Sequence, residues 1–274
     1  MFNLVHLTDD VAGSKVVVAP ERGAIITSFR VGGRELLYMD HATLADSSKN
    51  VRGGIPVLFP APGKLDGDSW RYGAHTGTMK QHGFARTLPW QVVASQTNRL
   101  KLALESDSAT LAQYPFAFRA EITYELRGPS LRIVADVYNR GAEPMPYGLG
   151  FHPYFAVTDK AHAAIPTAAT QAFDNVTKAA MPFAGFDFTQ PELDLHLLDH
   201  AASHATLQLA DGTRIDIRTS QDFVRWVVWT VAGRDFICLE PWTAPGNALN
   251  TGEHLIVLDA GRSHSSWVEI AYRQ

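Results

Sequence analysis

Alternation of apolar and polar residues with a period of two constrains the fold of this chain more than any other feature. The run RLKLALES at 99–106 places Leu100, Leu102 and Leu104 on one face. This alternation is typical of β-strands that bury one side. Similar runs occur at 118–128, 130–141 and 205–220, and throughout the C-terminal third, whereas helical periodicity is scarce.

Turn signals separate these runs. The segment 205–220 reads as two alternating halves joined across Asp211-Gly212, which is a favoured pair for a tight hairpin turn. Short strands with frequent turns predict an all-β protein, built as a large antiparallel β-sandwich. No linker or internal repeat divides the chain, so we expect a single domain over 1–274. Two stretches, 50–90 and 157–200, are predicted to be long functional loops.

Composition and charge exclude several classes of function. The chain has 274 residues, is 46% hydrophobic and carries a net charge of -4, so it lacks the basic excess that nucleic-acid binding requires. No uncharged run approaches the roughly 18 apolar residues of a membrane span. Cys238 is the single cysteine, and the N-terminal segment lacks the features of a signal peptide. We therefore expect a cytoplasmic protein without a disulfide, and with neither nucleic-acid nor membrane partners.

Two ionisable residues stand in stiff, apolar settings. His152, in LGFHPYF, precedes Pro153, which favours an extended backbone, and Phe151 and Tyr154 can wall its ring. Such a pocket would hold an imidazole as a proton donor or acceptor, although a buried structural histidine is the alternative. Glu240 follows the apolar run DFICL and precedes Trp242, which offers a flat surface. Glu240 is interpreted as a general base, or else as a structural ion pair with an arginine.

A third group lies in the Gly/Pro-rich segment. Arg52, in VRGGIP, can present a donor fork to oxygen atoms, and the glycines after it are expected to let the backbone approach a ligand. His82 and Arg86 belong to QHGFAR, where Arg86 is either another donor or a cap for a carbonyl group.

A metal site is a weaker alternative. His196, His200 and His204 are spaced by four and would stack on one face of a helix. The intervening HLLDH has leucine where a metalloprotease carries its catalytic glutamate. Cys238 lies inside an apolar strand, and the sequence contains no P-loop, dinucleotide fingerprint or nucleophile elbow. These observations favour an acid–base site without a metal or cofactor.

At these residues the sequence resembles the aldose 1-epimerase (galactose mutarotase-like) superfamily, and within it the bacterial branch with hexose-6-phosphate 1-epimerases. Four motifs carry the resemblance in the family's order, and an early segment matches its opening strands. The motifs are RGGIPVLFP, QHGFAR, GFHPYF and EPWTAPGNALNTG, preceded by AIITSFRVGGRELLY. The match covers nearly the whole chain and implies a galactose mutarotase-like supersandwich that binds a sugar.

The resemblance also implies roles for individual residues. Glu240 would be the general base and His152 the general acid, with His82 supporting the ring-oxygen end of the sugar. Arg52 would bind sugar oxygens. The family's additional aspartate fits Asp194 best, with Asp199 as the rival.

The implied reaction is interconversion of α and β anomers. Glu240 would take the proton of the anomeric hydroxyl while His152 protonates the ring oxygen, and the opened sugar would close again as the other anomer. The reference pKa values are about 4.3 for glutamate and 6.5 for histidine, and a nearby carboxylate is expected to raise the protonated fraction of His152.

Three questions stay open at this stage. The substrate is either a free hexose or a hexose phosphate, whose phosphate group Arg52, Arg86, Arg71 or Lys64 would contact. The rival function is a non-catalytic carbohydrate-binding or sugar-sensing β-sandwich. The chain is expected to be a monomer or a homodimer.

Overall fold

The computed structural model describes residues 2–274, and strands dominate its secondary structure. The strands are β1 (Val5–Asp9), β2 (Ser14–Ala19), β3 (Ile25–Val31), β4 (Arg34–Glu35), β5 (Val57–Leu58), β6 (Ser69–Tyr72), β7 (His75–Thr78), β8 (Gln91–Ser95), β9 (Arg99–Glu105), β10 (Phe118–Arg127), β11 (Ser130–Asn139), β12 (Met145–Tyr147), β13 (Gly150–Phe151), β14 (Tyr154–Ala156), β15 (Gln171–Asp174), β16 (Ala179–Pro182), β17 (Glu192–Leu197), β18 (His204–Gln208), β19 (Arg214–Thr219), β20 (Arg225–Val231), β21 (Phe236–Trp242), β22 (Ile256–Leu258) and β23 (Ser263–Arg273). The α-helices are α1 (His41–Ala45), α2 (Ser108–Gln113) and α3 (Ala248–Thr251). Single 3-10 turns occur at Pro20–Arg22, Asp66–Asp68, Ala85–Thr87 and Lys160–His162.

Two large antiparallel sheets form the body of the molecule. The first has seven strands in the order β18-β19-β23-β11-β10-β9-β8. The second has eight strands in the order β16-β15-β17-β20-β21-β13-β5, with β14 also paired to β21. A four-stranded sheet, β1-β2-β3-β4, and two small pairs, β12-β22 and β6-β7, complete the architecture. The predicted antiparallel all-β class is confirmed.

The alternation in the sequence corresponds directly to buried faces. Leu100, Leu102 and Leu104 all point into the main hydrophobic core. The turn at 127–130 joins β10 to β11, and Asp211-Gly212 lies in the loop of the predicted hairpin between β18 and β19. Strands of this kind are stabilised by the apolar area they bury, at about 25 cal/mol per Å².

The prediction that 157–200 is a loop is wrong in part, because β15, β16 and β17 lie within it. In β17, the residues ELDLHL do alternate: Leu193, Leu195 and Leu197 are buried, while Asp194 and His196 face the other side. The polar side chains on that second face made the segment resemble a loop.

Three of the four sequence motifs meet in the eight-stranded sheet. The segment LGFHPYF forms β13 and β14, which both pair with β21, the strand that carries Glu240. On its other side β13 pairs with β5, which follows RGGIP. The sheet therefore brings together segments that are about 90 residues apart in sequence.

The glycines after Arg52 serve this packing rather than a ligand. Gly54 has a φ of 65°, and a Cβ atom there would collide with the carbonyl oxygen of Ile26 in β3. A Cβ atom at Gly53 would meet the backbone of Tyr38 and Met39. The expectation that these glycines admit a ligand is replaced by a close contact between backbones.

Over residues 2–274, no helix is long and apolar enough to cross a membrane.

Candidate active site

Strand register places the candidate residues on one face of the eight-stranded sheet, here called the site face. Residues paired across antiparallel strands point to the same side. The three rows of paired residues on β17, β20 and β21 are Asp194, Trp229 and Cys238; His196, Val227 and Glu240; and Arg225 with Trp242. The site face is therefore determined by the pairing of β17, β20 and β21.

Glu240 is almost completely buried on the site face, with 1% of its surface exposed. The indole Nε1–H of Trp242 donates a hydrogen bond of 3.1 Å to its Oε2 atom. Its Oε1 atom lies 3.3 Å from Nδ1 of His152. Within residues 2–274 the ion-pair partner of Glu240 is this histidine, so the alternative of a structural pair with an arginine is not observed.

His152 stands where the strand is interrupted between β13 and β14. Its backbone N–H donates to the carbonyl of Pro56 at 3.1 Å, which ties the interruption to the neighbouring segment. The ring stacks on Tyr154 with centroids 4.6 Å apart, and meets Trp229 edge-on at 5.8 Å. Phe151, expected to form a wall, packs in the core beside Phe223 instead.

Burial dominates the electrostatics of the pair formed by His152 and Glu240. Desolvation raises the pKa of Glu240 well above its ordinary value, and the nearby charge of Asp194 acts in the same direction. Desolvation lowers the pKa of His152 well below its ordinary value, assisted by His82 and Arg86. The expectation that a carboxylate would favour a protonated His152 is therefore wrong, because burial penalises the charges of both groups.

His82 sits in a strained turn at the edge of the same site. Its backbone has a φ of 72°, and the following Gly83 presses against the carbonyl of Phe59. The ring lies 5.5 Å from the ring of His152 and 5.9 Å from that of Trp242. Burial and the charge of Arg86 lower its pKa to about 3, so the ring is neutral at physiological pH.

The tautomer of His82 follows from its partner. Nδ1 is hydrogen-bonded to the carbonyl oxygen of Pro62, which can only accept, so Nδ1 carries the hydrogen. Nε2 of a neutral ring is then an acceptor, and the side-chain amide of Gln81 lies 3.3 Å from it. In this tautomer His82 can accept a hydrogen bond from a sugar hydroxyl but cannot donate one to a ring oxygen.

Two arginines flank the pair of His152 and Glu240. The exposed Arg52 lies over the Trp229 ring at 5.3 Å. Arg86 donates a hydrogen bond of 3.0 Å from Nη2 to the carbonyl oxygen of Gln81, which agrees with its predicted role as a cap for a carbonyl group. Its buried Nε atom has no hydrogen-bond partner. Desolvation lowers the pKa of Arg86 to about 10. Neither guanidinium lies within ion-pair distance of a carboxylate of residues 2–274.

The structure separates the two candidate aspartates. Asp194 lies half-buried on the site face, where it accepts a hydrogen bond of 2.7 Å from Asn175 and lies 3.4 Å from Nε2 of His196. Asp199 instead accepts hydrogen bonds from the backbone of Thr170 and Gln171 in a surface turn. Only Asp194 faces the site.

The helical stack of histidines is not formed. His196 lies in β17, with its ring 5.2 Å from that of Trp242, while His200 follows the strand and His204 begins β18. Both ring nitrogens of His200 have hydrogen-bond partners. Nδ1 lies 2.8 Å from the hydroxyl of Thr167, and Nε2 lies 2.9 Å from the carbonyl oxygen of His204. The three imidazoles therefore do not form the predicted metal site.

A cavity of about 620 Å³ opens beside Trp242 and His196. Its polar lining includes Lys64, Gln81, Asn175, Lys178 and Arg225. Arg71, a candidate phosphate ligand, is exposed on β6 and does not line it. Trp242 borders both this cavity and Glu240, whereas the cavity lining includes none of His82, His152, Glu240, Arg52 and Arg86.

Sequence reasoning missed several residues of this face. Asn175, His196 and Trp229 were not assigned to a sugar site, although the alternation of ELDLHL and of RWVVWTV carries the signal for the last two. Asn175 follows β15 and had no pattern that could have identified it.

Comparison with known proteins agrees with this fold. The Slr1438 protein of Synechocystis sp. PCC 6803 is 39% identical, with a TM-score of 0.97 over 100% of this chain and 96% of that one. A galactose mutarotase-like protein from Lactobacillus casei has a TM-score of 0.80 at 21% identity, covering 99% and 100% of the two chains, and this likeness concerns the fold alone.

Some curated relatives carry a more specific name. A protein of Cenchrus ciliaris, named as a candidate glucose-6-phosphate 1-epimerase, is 28% identical over 151 residues, which span 50% of this chain and 42% of that one. This chain thus matches less than half of that relative's length. The model of the aldose 1-epimerase family matches residues 4–271. The ordered motifs, the galactose mutarotase-like fold and this match together show that the chain belongs to the aldose 1-epimerase family.

Proposed function

We propose that this protein is an aldose 1-epimerase that interconverts the α and β anomers of a hexose 6-phosphate. The observation that carries the proposal is the pair of Glu240 and His152, whose Oε1 and Nδ1 atoms lie 3.3 Å apart on the site face. An anomeric exchange needs one group that takes a proton and another that gives one, both within reach of the same sugar carbon. No nucleophile is required, because no group is transferred.

In the proposed reaction Glu240 takes the proton of the anomeric hydroxyl and His152 gives a proton to the ring oxygen. The bond between the anomeric carbon and the ring oxygen breaks, and the open-chain aldehyde forms. Rotation about the bond between C1 and C2 exposes the other face of the aldehyde, and closure with the proton transfers reversed yields the other anomer. Trp242 holds the carboxylate in place through its bond to Oε2.

Burial sets a condition on this scheme. Ring opening starts from Glu240 as carboxylate and His152 as imidazolium, whereas desolvation of both groups favours protonated Glu240 beside neutral His152. The two arrangements hold the same number of protons, so a proton has to pass from Glu240 to His152 before each ring opening, at a cost in free energy.

The neutral His82 and the carboxylate of Asp194 would orient the sugar. Both are acceptors, so both would bind hydroxyl groups. Asp194 is held by Asn175, and the bond to Pro62 fixes the hydrogen of His82 on Nδ1. Fixed acceptors discriminate well, because a sugar that lacks the matching hydroxyl leaves a buried acceptor unpaired.

Two guanidiniums without a carboxylate partner support a phosphorylated substrate. Arg52 and Arg86 both lower the pKa of His152, which shows that their charges act on the site, and the buried Nε of Arg86 has no partner. Burying a charged donor without a partner is costly, so such a group is expected to receive an anionic ligand. The relative named as a candidate glucose-6-phosphate 1-epimerase points the same way.

A non-catalytic carbohydrate-binding protein remains the rival function. A binder needs hydroxyl contacts and a stacking surface, whereas a buried acid–base pair adds a desolvation cost without improving recognition. The position of His152 against Glu240 therefore favours catalysis.

Two-dimensional exchange NMR at the anomeric protons tests the proposal with glucose, galactose and glucose 6-phosphate. We expect the wild-type protein to accelerate exchange, and Glu240→Gln to lose at least about 100-fold, since a positioned acid or base contributes ~10² to 10⁴-fold. His152→Asn should lose a similar factor. Thermal melting of both variants controls for folding. Equal exchange rates with wild-type protein and Glu240→Gln would reject the assignment of the base.

The same assay tests the phosphate. Arg86→Gln should raise KM for glucose 6-phosphate by a larger factor than KM for free glucose, because the lost charge changes the pKa of His152 with either sugar but would bind a phosphate group with only one. Arg71→Gln is the matched control, because Arg71 is exposed on β6 and its charge is not among those that shift the pKa of His82, His152 or Glu240. If wild-type protein prefers free hexoses and Arg86→Gln affects all sugars alike, the substrate is not a phosphate ester.

A further inference from the structure

We propose that His152, Cys238 and Glu240 together form a binding site for a thiolate-preferring divalent cation such as Zn²⁺, and that an ion bound there inhibits the enzyme. One nitrogen, one sulfur and one carboxylate oxygen of these buried residues lie within 4.8 Å of one another. This is a ligand set that zinc takes in proteins. The inhibition, though not the binding, rests on the proposed function.

The spacing of the ligand atoms fits a tetrahedral ion. Two ligand atoms that each lie about 2.0–2.1 Å from zinc are about 3.3 Å apart in a tetrahedral site. Nδ1 of His152 and Oε1 of Glu240 are separated by 3.3 Å. A thiolate would need to approach to about 3.5 Å from the other two atoms, at a Zn–S distance of about 2.3 Å. Because the three ligand atoms lie within 4.8 Å of one another, the sulfur of Cys238 has to approach by up to about 1.3 Å.

The sheet holds the three residues in place. Cys238 and Glu240 are two residues apart on β21 and so point to the same side. Tyr154 pairs with Cys238 in the strand register. Its ring stacks on the ring of His152, with the ring centroids 4.6 Å apart. Ligands carried by paired strands keep their positions without an ion, which reduces the entropic cost of binding one.

An independent observation points to a missing partner at this place. Nδ1 of His152 is buried and has no hydrogen-bond partner, although it lies near the carboxylate. Buried polar atoms almost always have a partner. The lone pair of a neutral imidazole nitrogen is also the form in which histidine binds a metal.

The surrounding charges favour a soft ion over a hard one. Burial raises the pKa of Glu240 and of Cys238, so an ion would have to displace a proton from each of them. The two anionic ligands formed in this way would offset the charges of Arg52 and Arg86, and Asp194 lies in the same row of paired residues as Cys238. Magnesium prefers six oxygen ligands and would gain little from nitrogen and sulfur. An ion at this position would neutralise the base and occupy the space of the anomeric carbon.

Binding is tested with Zn²⁺ and with Co²⁺ as a spectroscopic probe, by equilibrium dialysis and absorption spectroscopy. Cys238 is the single cysteine, so any thiolate-to-cobalt charge-transfer band reports this residue. We expect one ion per chain and such a band in wild-type protein. The band should be lost in Cys238→Ala and weakened in Glu240→Gln, and Mg²⁺ should not compete. The double variant His200→Ala/His204→Ala, altered in another part of the surface, should behave as wild type.

Inhibition is measured in the anomer-exchange assay. Cys238→Ala should retain exchange activity and require at least about 10-fold more Zn²⁺ for half-inhibition, since even indirect support of a metal ligand is worth ~10 to 100-fold in affinity. Substrate should protect the wild-type protein competitively. Equal sensitivity of wild type and Cys238→Ala, or wild-type protein without a thiolate band, would overturn the proposal. A band in a protein without epimerase activity would leave the ion site standing and reject the proposed function instead.

Discussion

At the scale of single residues, this site is determined by how completely its ionisable groups are removed from water. His152 and Glu240 could be identified from their sequence neighbours, because proline and aromatic residues restrict the backbone and the surroundings. The direction of their pKa shifts could not, since it depends on burial that only the folded sheet creates. The neutral tautomer of His82 also depends on a carbonyl group 20 residues away, at Pro62.

The low pKa of His82 makes a prediction about stability. Its folded-state pKa of about 3 lies below the ordinary value of about 6.5, so the unfolded chain binds a proton that the folded chain does not. The free energy of unfolding should therefore fall as pH drops from about 6.5 towards 3, by at most about 1.4 kcal/mol per pH unit from this residue.

Urea unfolding between pH 4.5 and 7 measures this effect. His82→Asn should show a smaller dependence on pH than wild type, and asparagine tolerates the positive φ of this position. His200→Asn serves as the control, because this histidine bonds to Thr167 away from the site face. Parallel curves for wild type and His82→Asn would contradict the prediction.

At the scale of elements, the decisive unit is the run of paired strands β17, β20, β21, β13 and β14. The sequence predicted β20 and β21 because their apolar runs are long. It did not predict β17, where short alternation is combined with polar residues that face a cavity instead of solvent. The adjacency of the motifs could be proposed from family resemblance alone, because pairing of strands about 90 residues apart leaves no local signal.

Within β21, Trp242 tunes the carboxylate two residues before it. The bond from its Nε1 lowers the pKa of Glu240 against the larger effect of burial. Trp242→Phe should therefore raise that pKa further. The active pair holds one proton, which is lost as pH rises through the pKa of Glu240, so the alkaline limb of kcat/KM should move to higher pH.

A pH–rate profile of the exchange reaction tests the role of Trp242. Trp229→Phe is the matched control, because the Nε1–H of Trp229 donates to Glu192 at 3.0 Å and not to Glu240. The position of the alkaline limb should be the same in this control and in wild type. A limb that stays in place in Trp242→Phe would show that the indole bond does not influence the base.

At the scale of the whole molecule, stability and chemistry use different faces. Both large sheets contribute to the main core, for example through Leu102 of β9 and Leu195 of β17, whereas the proposed reaction takes place on the other face of the eight-stranded sheet. The class of fold was predictable from the sequence for this reason: core strands follow a simple alternation. The site strands break that pattern wherever they face the cavity.

Truncation of a core leucine should therefore lower stability without altering the chemistry. Leu102→Ala, at a fully buried position, is expected to lower the free energy of unfolding by about 2–5 kcal/mol. Exchange activity of the folded protein should be unchanged at low temperature. Val93→Ala, on the exposed side of β8, should cost less than about 0.5 kcal/mol. A large loss of activity in folded Leu102→Ala would show that the two sheets are coupled.

The interruption between strands β13 and β14 affects which step would limit the rate of turnover. Both halves remain paired with β21, so the acid and the base are fixed to the same sheet and need no loop to close over them. The sugar is the only component that has to move, by rotating its open chain within the cavity. The turnover of such an enzyme would be governed by the rotation, entry and departure of its substrate, and solvent viscosity would influence it more than any motion of the protein.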